Sequence, residues 1–459
     1  MDDVDTRENS RAPEGHNFGR GGFGSHAADL STVRAINRQL ILNYLRKDGP
    51  IPRVAIASRF GLSRATVSSI IDELIKENLV VEGSKLRATS KGGRRATRVH
   101  FNADAAYIVG IDIGRTRYRI YLTSLDAQVL DHCVGSFRIE DGWEVGLQSI
   151  AVSVAEFVKK RLRNWSKVRG IGLSIPGIPD RKFRMLISPP LLDMWMEVDI
   201  PVYLRQKLSL DPDLPIYLDK DANMGALGES RYGKGRGVEH LIYTKLSTGI
   251  GAGLILNGQL YRGNTGAAGE FGHVIIEETS QRCPSCGKNG CLEALAGLRA
   301  ILDDAYRGIS LNGAENIAEL TSLGGSAKEN QWDMVEVIKR AQENNDMSCK
   351  AALKHAGERI GRAIASSLIN VYNPSMILLD GGIVRPSRGE TVYVNEFLLE
   401  VLARSTRDSS LPAASQEVEI SIGGLGDDAV GLGAVATVID NDPWFKMPDE
   451  QAQNLAKAY

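Results

Sequence analysis

The spacing of apolar residues predicts helices at the start of the chain and buried strands further on. Val33, Ile36, Leu40, Tyr44 and Leu45 share one face of a 3.6-residue repeat. That face predicts an amphipathic helix capped by Ser31 and ended by Gly49-Pro50. Arg53 to Phe60 reads as a short helix and Gly61-Leu62-Ser63 as a turn, with a longer helix starting at Arg64. Within it Val67, Ile70, Ile71, Leu74 and Ile75 bury one side. Arg64, Ala65, Thr66, Ser68 and Ser69 face the other way: small, polar or basic. Leu79-Val80-Val81 and Thr97 to Phe101 read as two strands flanking a basic turn, Lys91-Gly92-Gly93-Arg94-Arg95. Beyond residue 101 the pattern changes to short apolar runs. Tyr107–Ile113, Gly170–Ile175, Leu254–Leu256 and the stretch ending in Asp380-Gly381-Gly382 read as buried strands, and Tyr118–Leu122 as an alternating one. Asn257-Gly258 predicts a tight hairpin.

A helix, a glycine turn, a capped helix and two strands form the winged helix-turn-helix pattern. Charge supports that reading over a plain helical hairpin with a solvated polar face. Residues 29–100 hold 14 Lys+Arg against 6 Asp+Glu, a balance of +8, while residues 101–459 hold 38 against 45, a balance of −7. A basic module on an acidic body points to nucleic acid at one end, and the helix-turn-helix pattern makes the expected partner a double-stranded DNA operator. Arg64, Ala65, Thr66, Ser68 and Ser69 would approach base edges. Arg94 and Arg95 would reach phosphates or the minor groove.

With 459 residues, 43% hydrophobic and 24% charged, the chain is expected to form two or three globular domains. The expected divisions are a disordered tail (1–28), the winged helix (29–101), a large body (102–440) and a polar tail (441–459). No apolar run approaches the ~20 residues a membrane helix needs. No signal-peptide core stands at the start either, so the expected location is the cytoplasm, away from membranes.

Three of the five cysteines, Cys283, Cys286 and Cys291, fall within nine residues, with His273 upstream. A Cys3His set with Cys-x2-Cys spacing predicts a structural Zn2+ site; a disulfide framework is the less favoured alternative. Upstream, Ser247-Thr248-Gly249-Ile250-Gly251-Ala252-Gly253 reads either as a phosphate-approaching loop or as an ordinary tight turn.

Together STGIGAG, NGQLYRG, GAAGEFGH and CGKNGCLE resemble the signature of the ROK family: repressors, open reading frames and sugar kinases. The resemblance runs from Ser31 to about Ile439. It implies a two-lobed α/β domain of the actin and hexokinase plan (ribonuclease H-like), with zinc beside a sugar pocket. By that resemblance Asp221 is the kinase base, and Glu270, His273 and Glu293 contact sugar hydroxyls, His273 also serving the metal. Lys220 replaces an asparagine that commonly binds sugar, so the ligand pattern is expected to shift towards an acidic or phosphorylated sugar. Asp112 and Gly114, with Thr248, Gly249 and Gly251, match the nucleotide side. There Arg115 and Asp380 stand where kinases carry glycine, and Arg117 where lysine is common. Use of ATP and Mg2+ is therefore expected to be lost or weakened. The favoured reading is a sugar-responsive transcriptional regulator, a repressor, acting as a homodimer or homotetramer. Its rivals are an active sugar kinase with a DNA-binding domain attached, and a regulator gated by a partner protein.

Overall fold

A computed structural model describes residues 30–85, 97–180, 185–188, 194–196, 198–312, 333–388 and 391–446. Three helices open it: α1 (Leu30–Asp48), α2 (Arg53–Phe60) and α3 (Arg64–Lys76). Helix α1 already includes Leu30, so Ser31 sits inside its first turn and does not cap it. The link from α2 to α3 turns at Gly61, whose φ of +63° suits a residue without Cβ. Ser63 then caps α3, its hydroxyl accepting the Thr66 N–H at 3.0 Å. Strands β2 (Val80–Lys85) and β3 (Thr97–Phe101) form the wing, with β1 (Ile51–Pro52) on the far side of β3. The basic turn with Arg94 and Arg95 lies outside the described residues.

Two five-stranded sheets follow, and they share one strand order. In the first, β4 (Tyr107–Ile113), β5 (Arg117–Ser124) and β6 (Val129–Ser136) form an antiparallel meander. Strand β7 (Val168–Ile175) then lies parallel to β4. A small ribbon, β8 (Ile178–Pro179) with β9 (Leu186–Ser188), precedes β10 (Ile216–Lys220), which is parallel to β7. The second sheet repeats this with the meander β11 (Leu241–Leu246), β12 (Ile250–Leu256) and β13 (Gln259–Tyr261). Strand β14 (Met376–Asp380) is parallel to β11. After a second ribbon, β15 (Ser387–Arg388) with β16 (Thr391–Val392), β17 (Glu419–Ile422) is parallel to β14. The orders β10-β7-β4-β5-β6 and β13-β12-β11-β14-β17 are the same topology written twice, which is the expected pair of ribonuclease H-like lobes.

Helices α4 (Trp143–Leu162) and α5 (Ile200–Lys207) pack into the core of the first lobe. Helices α7 (Leu292–Ala296), α8 (Leu298–Asn312), α9 (Met334–Gln342), α10 (Met347–Ile364) and α11 (Glu396–Ser409) serve the second. The lobes meet through α6 (Asp221–Tyr232) and α12 (Ala429–Asn441). Helix α6 lies on the second sheet so closely that a Cβ on Gly253 would stand 2.2 Å from the Ala222 carbonyl oxygen. Helix α12 lies as closely on the first sheet, where a Cβ on Gly172 would meet the Ala434 oxygen at 2.0 Å. Their own crossing is tighter still: a Cβ on Gly433 would fall 1.7 Å from the Met224 oxygen. Glycine is the residue that permits such backbone approach.

The core of the winged helix is continuous with the body. One apolar cluster joins Ile41, Leu42, Ile70 and Leu74 to Ile108 and Leu125 of the first lobe and to Val435, Val438 and Ile439 of α12. Residues 442–446, expected to begin a polar tail, fold back into this seam. Phe445 is buried there, edge-on to Phe101 with ring centroids 6.0 Å apart, and its carbonyl accepts from Asn43 at 3.0 Å. Among the described residues no helix is long and apolar enough to cross a membrane.

Candidate functional site

The motif cysteines converge with His273. Their sulfurs and one imidazole nitrogen all lie within 4.8 Å of one another. Cys283 Sγ is 3.7 Å from His273 Nδ1, and Cys286 and Cys291 are 3.5 Å apart, too far for a disulfide bond. Burial first, then the neighbouring thiols, pushes the Cys291 thiol up to about 12, and burial also raises Cys283. Three crowded sulfurs and an imidazole are a donor set for a thiophilic cation, which would hold them as thiolates. The second imidazole nitrogen, Nε2, lies 3.9 Å from Glu270 Oε2. Nδ1 is thus the nitrogen beside Cys283, and Nε2 the one beside Glu270, which lines the cavity.

Between the lobes lies a cavity of 410 Å³ whose lining includes Asp221, Glu270, His273 and Glu293. Asp221 is the first residue of α6, delivered there by the end of β10. Its Oδ1 accepts the Ala222 N–H at 2.7 Å and its Oδ2 pairs with Lys245 Nζ at 2.7 Å. Lys220 is different from its sequence expectation. It is 2% exposed, and its ammonium donates to Glu270 Oε1 at 2.9 Å and to the Ala268 carbonyl. Both partners belong to the chain, so Lys220 orients Glu270. Glu293 is engaged as well: Oε2 accepts the Ile250 N–H at 3.0 Å, and Oε1 accepts from Ser285, between Cys283 and Cys286. It braces the cysteine loop against the start of β12.

Three further acidic side chains that line the cavity, Asp112, Asp380 and Asp427, each have a cationic partner. Asp112 accepts from Ser174 at 2.6 Å and lies 3.9 Å from Arg119. Asp427 pairs with Arg119 and, at 3.6 Å, with Arg117. Asp380 pairs with Arg385 at 3.2 Å and accepts from Tyr243 at 3.2 Å. Arg115 follows Gly114 on the cavity wall and reaches Glu140 at 3.3 Å. Of the three alternating glycines, packing demands only Gly253. Gly251 and Gly253 lie inside β12, which begins at Ile250 rather than Leu254, and Gly253 is where α6 touches the sheet. Thr248 and Gly249 remain in the loop at the cavity edge. Asn257 and Gly258, at φ +54° and +73°, make the predicted hairpin.

Helix α3 presents Arg64 and Ala65 exposed at its start, with Thr66 and Ser68 partly covered and Ser69 exposed one turn on. Thr66 Oγ1 lies 2.8 Å from the capping Ser63 hydroxyl, and Ser69 accepts from Arg34 of α1 at 2.9 Å. Arg64 is the fully presented cation of this end.

The ROK family profile matches residues 108–441, and a winged helix-turn-helix DNA-binding profile matches residues 34–81. The chain belongs to the ROK family. It is 32% identical over 415 residues to a xylose repressor of Caldicellulosiruptor bescii, covering 89% of this chain and 96% of that one. A glucokinase of Halalkalibacterium halodurans is 29% identical over 71% of this chain and 93% of its own length. Among solved structures, a ROK family transcriptional regulator described as a homologue of the E. coli MLC protein superposes with a TM-score of 0.70. That match is 22% identical and covers 90% of this chain and 98% of the other, so it bears on the fold.

Within this ROK domain the sequence did not point to Lys245, Ser285 or Arg385. They act on Asp221, Glu293 and Asp380 respectively, across separations of 24, 8 and 5 residues. Ser285 alone carried a local signal, since it stands between two motif cysteines.

Proposed function

We propose that the chain is a sugar-responsive transcriptional repressor in which a polyol bound between the ROK lobes changes the affinity of the winged helix for its operator. The observation that carries this reading is the shared apolar core, which joins the DNA-binding helices to the first lobe and to the end of α12. Asp221, Glu270 and His273 supply carboxylate and imidazole groups to the cleft, a set suited to hydroxyls. The repressor relatives, which match from winged helix to ROK domain, support the same reading. Arg64, Ala65, Thr66, Ser68 and Ser69 would meet the major groove, and a symmetric homodimer would present two such helices to a palindromic operator. His273, Cys283, Cys286 and Cys291 would hold one structural Zn2+, bracing the loop that carries His273 into the cleft.

A second reading, a sugar kinase, is favoured by Asp221 at the mouth of α6 and by the glucokinase relatives. The paired state of Asp112, Asp380 and Asp427 weighs against it, because each would have to release a cation to serve a nucleotide-bound metal. The test selects an operator from random duplex DNA and measures its affinity against D-xylose, D-glucose and related sugars. One sugar should shift operator affinity in wild type and not in Asp221→Asn. A flat response in wild type sinks the repressor reading. Sugar-dependent ATP consumption that Asp221→Asn abolishes would install the kinase in its place.

A further inference from the structure

Lys245 stands on β11, directly across from Gly251 on β12 and beside Asp380 on β14. On one face of a sheet such cross-strand neighbours are in contact range. With no side chain on Gly251, the lysine stem has room to cross the strand and bring its ammonium to Asp221 Oδ2, 2.7 Å away. An ammonium has three N–H donors. Among the described residues Asp221 is its one hydrogen-bond partner, and the side chain, 24% exposed, lines the cavity. Two donors are therefore left for whatever fills the cleft. Lys220, the neighbouring lysine, contrasts with it: its side chain is 3% exposed and bound to the chain on two sides.

We propose that Lys245 is a specificity-determining contact for the effector, gripping one sugar hydroxyl jointly with Asp221. The hydroxyl accepts from the ammonium and donates to the carboxylate, so a single group is read in both directions. This inference rests on the sugar reading of the cleft and names the residue that sharpens it. Burial pulls the ammonium towards deprotonation, but Asp221, with Asp112 and Asp380, pulls harder the other way and keeps its pKa above the ordinary lysine value. Lys245 is thus held as the ammonium.

The experiment is titration calorimetry on the full chain. D-xylose, D-glucose, D-galactose and D-mannose are screened first, and the tightest binder is followed by its monodeoxy series. Wild type, Lys245→Met, Lys245→Gln and Asp221→Asn are compared, each checked for wild-type-like cooperative unfolding. One monodeoxy sugar should lose about 10- to 100-fold on wild type, the scale of a charge-assisted contact. The same deletion should cost less than about twofold on Lys245→Met and on Asp221→Asn, the coupling expected of one shared contact. Lys245→Gln, which keeps a donor without charge, should fall between and guards against a misfolded methionine variant. Wild type that binds sugar while the lysine variants keep its deoxy profile overturns the role of Lys245 alone. Wild type that binds none of the four sugars overturns the sugar reading, and this inference with it.

Discussion

Lys220 and Lys245 are both lysines beside a carboxylate in one cleft, and their surroundings give them opposite roles. Lys220 is enclosed, and removing it would leave Glu270 without its cation and the Ala268 carbonyl without a donor. Lys220→Asn is therefore expected to weaken every sugar by a similar factor, since Glu270 loses its orientation whatever the ligand. Calorimetry across a sugar panel checks this, and a reordering of preference would restore Lys220 as a direct ligand contact. The residue motif could show that an asparagine position had become lysine; it could not show that the ammonium turns back into the chain. Asp221, Glu270 and His273 were legible because the local motif carries them into the cavity. Lys245 was not, because its meaning depends on the pairing of three strands whose partners lie up to 135 residues away (Lys245 with Asp380).

The cysteine loop is the element most tightly specified by its own sequence, and it is clamped from outside as well. Glu277 accepts from Arg359 of α10 at 2.9 and 3.1 Å and from Arg362 at 3.2 Å. Hydrogen bonding from Arg359 chiefly, against a smaller cost of burial, holds the Glu277 carboxyl below its usual range. A carboxyl depressed by folding contributes stability above its unfolded pKa and loses it as pH falls through the lowered folded value. Glu277→Gln should then unfold at a lower temperature than wild type at neutral pH, with the gap closing in acid. Thermal scans from neutral pH down to about pH 3, across the ordinary glutamate range, check this; a gap that widens in acid would refute it. Cys286→Ser is expected to lose about one zinc per chain by metal analysis and to lower the melting temperature. A metal-free wild type of equal stability would end the zinc assignment. At this scale the helices and hairpin were legible from period and turn chemistry. Gly253 was not, since a glycine read as phosphate-facing can equally serve a helix lying on the sheet.

Across the whole molecule, α6 runs from the cleft to the DNA-binding module. Asp221 opens it, and Tyr232 ends it beside Arg46 of α1, packed against the shared core. Along its length Arg231 pairs with Asp440 of α12 at 3.0 Å, and Glu229 accepts the Leu425 N–H at 2.8 Å just ahead of that helix. A sugar can move the module only through different affinity for two arrangements of these helices. A coupling of ~1–3 kcal/mol corresponds to roughly 5–150-fold in operator affinity. Tyr232→Ala is expected to bind sugar as wild type does while its operator affinity becomes nearly independent of sugar. Anisotropy titrations with and without sugar check this, and an unchanged response would route the coupling elsewhere. Such a relay is invisible to motif reading, because it is a property of how one helix spans two bodies.

The shared core also sets terms for anyone who would cut and rejoin this chain. A splice at the end of β3, where sequence boundaries invite one, divides a continuous apolar surface and strands Phe445 on the wrong fragment. Reader and sensor are therefore not interchangeable cassettes. A working hybrid would have to match the winged helix at once to residues 429–446 and to Ile108 and Leu125, while keeping α12 with the α6 it crosses, so no single splice point serves.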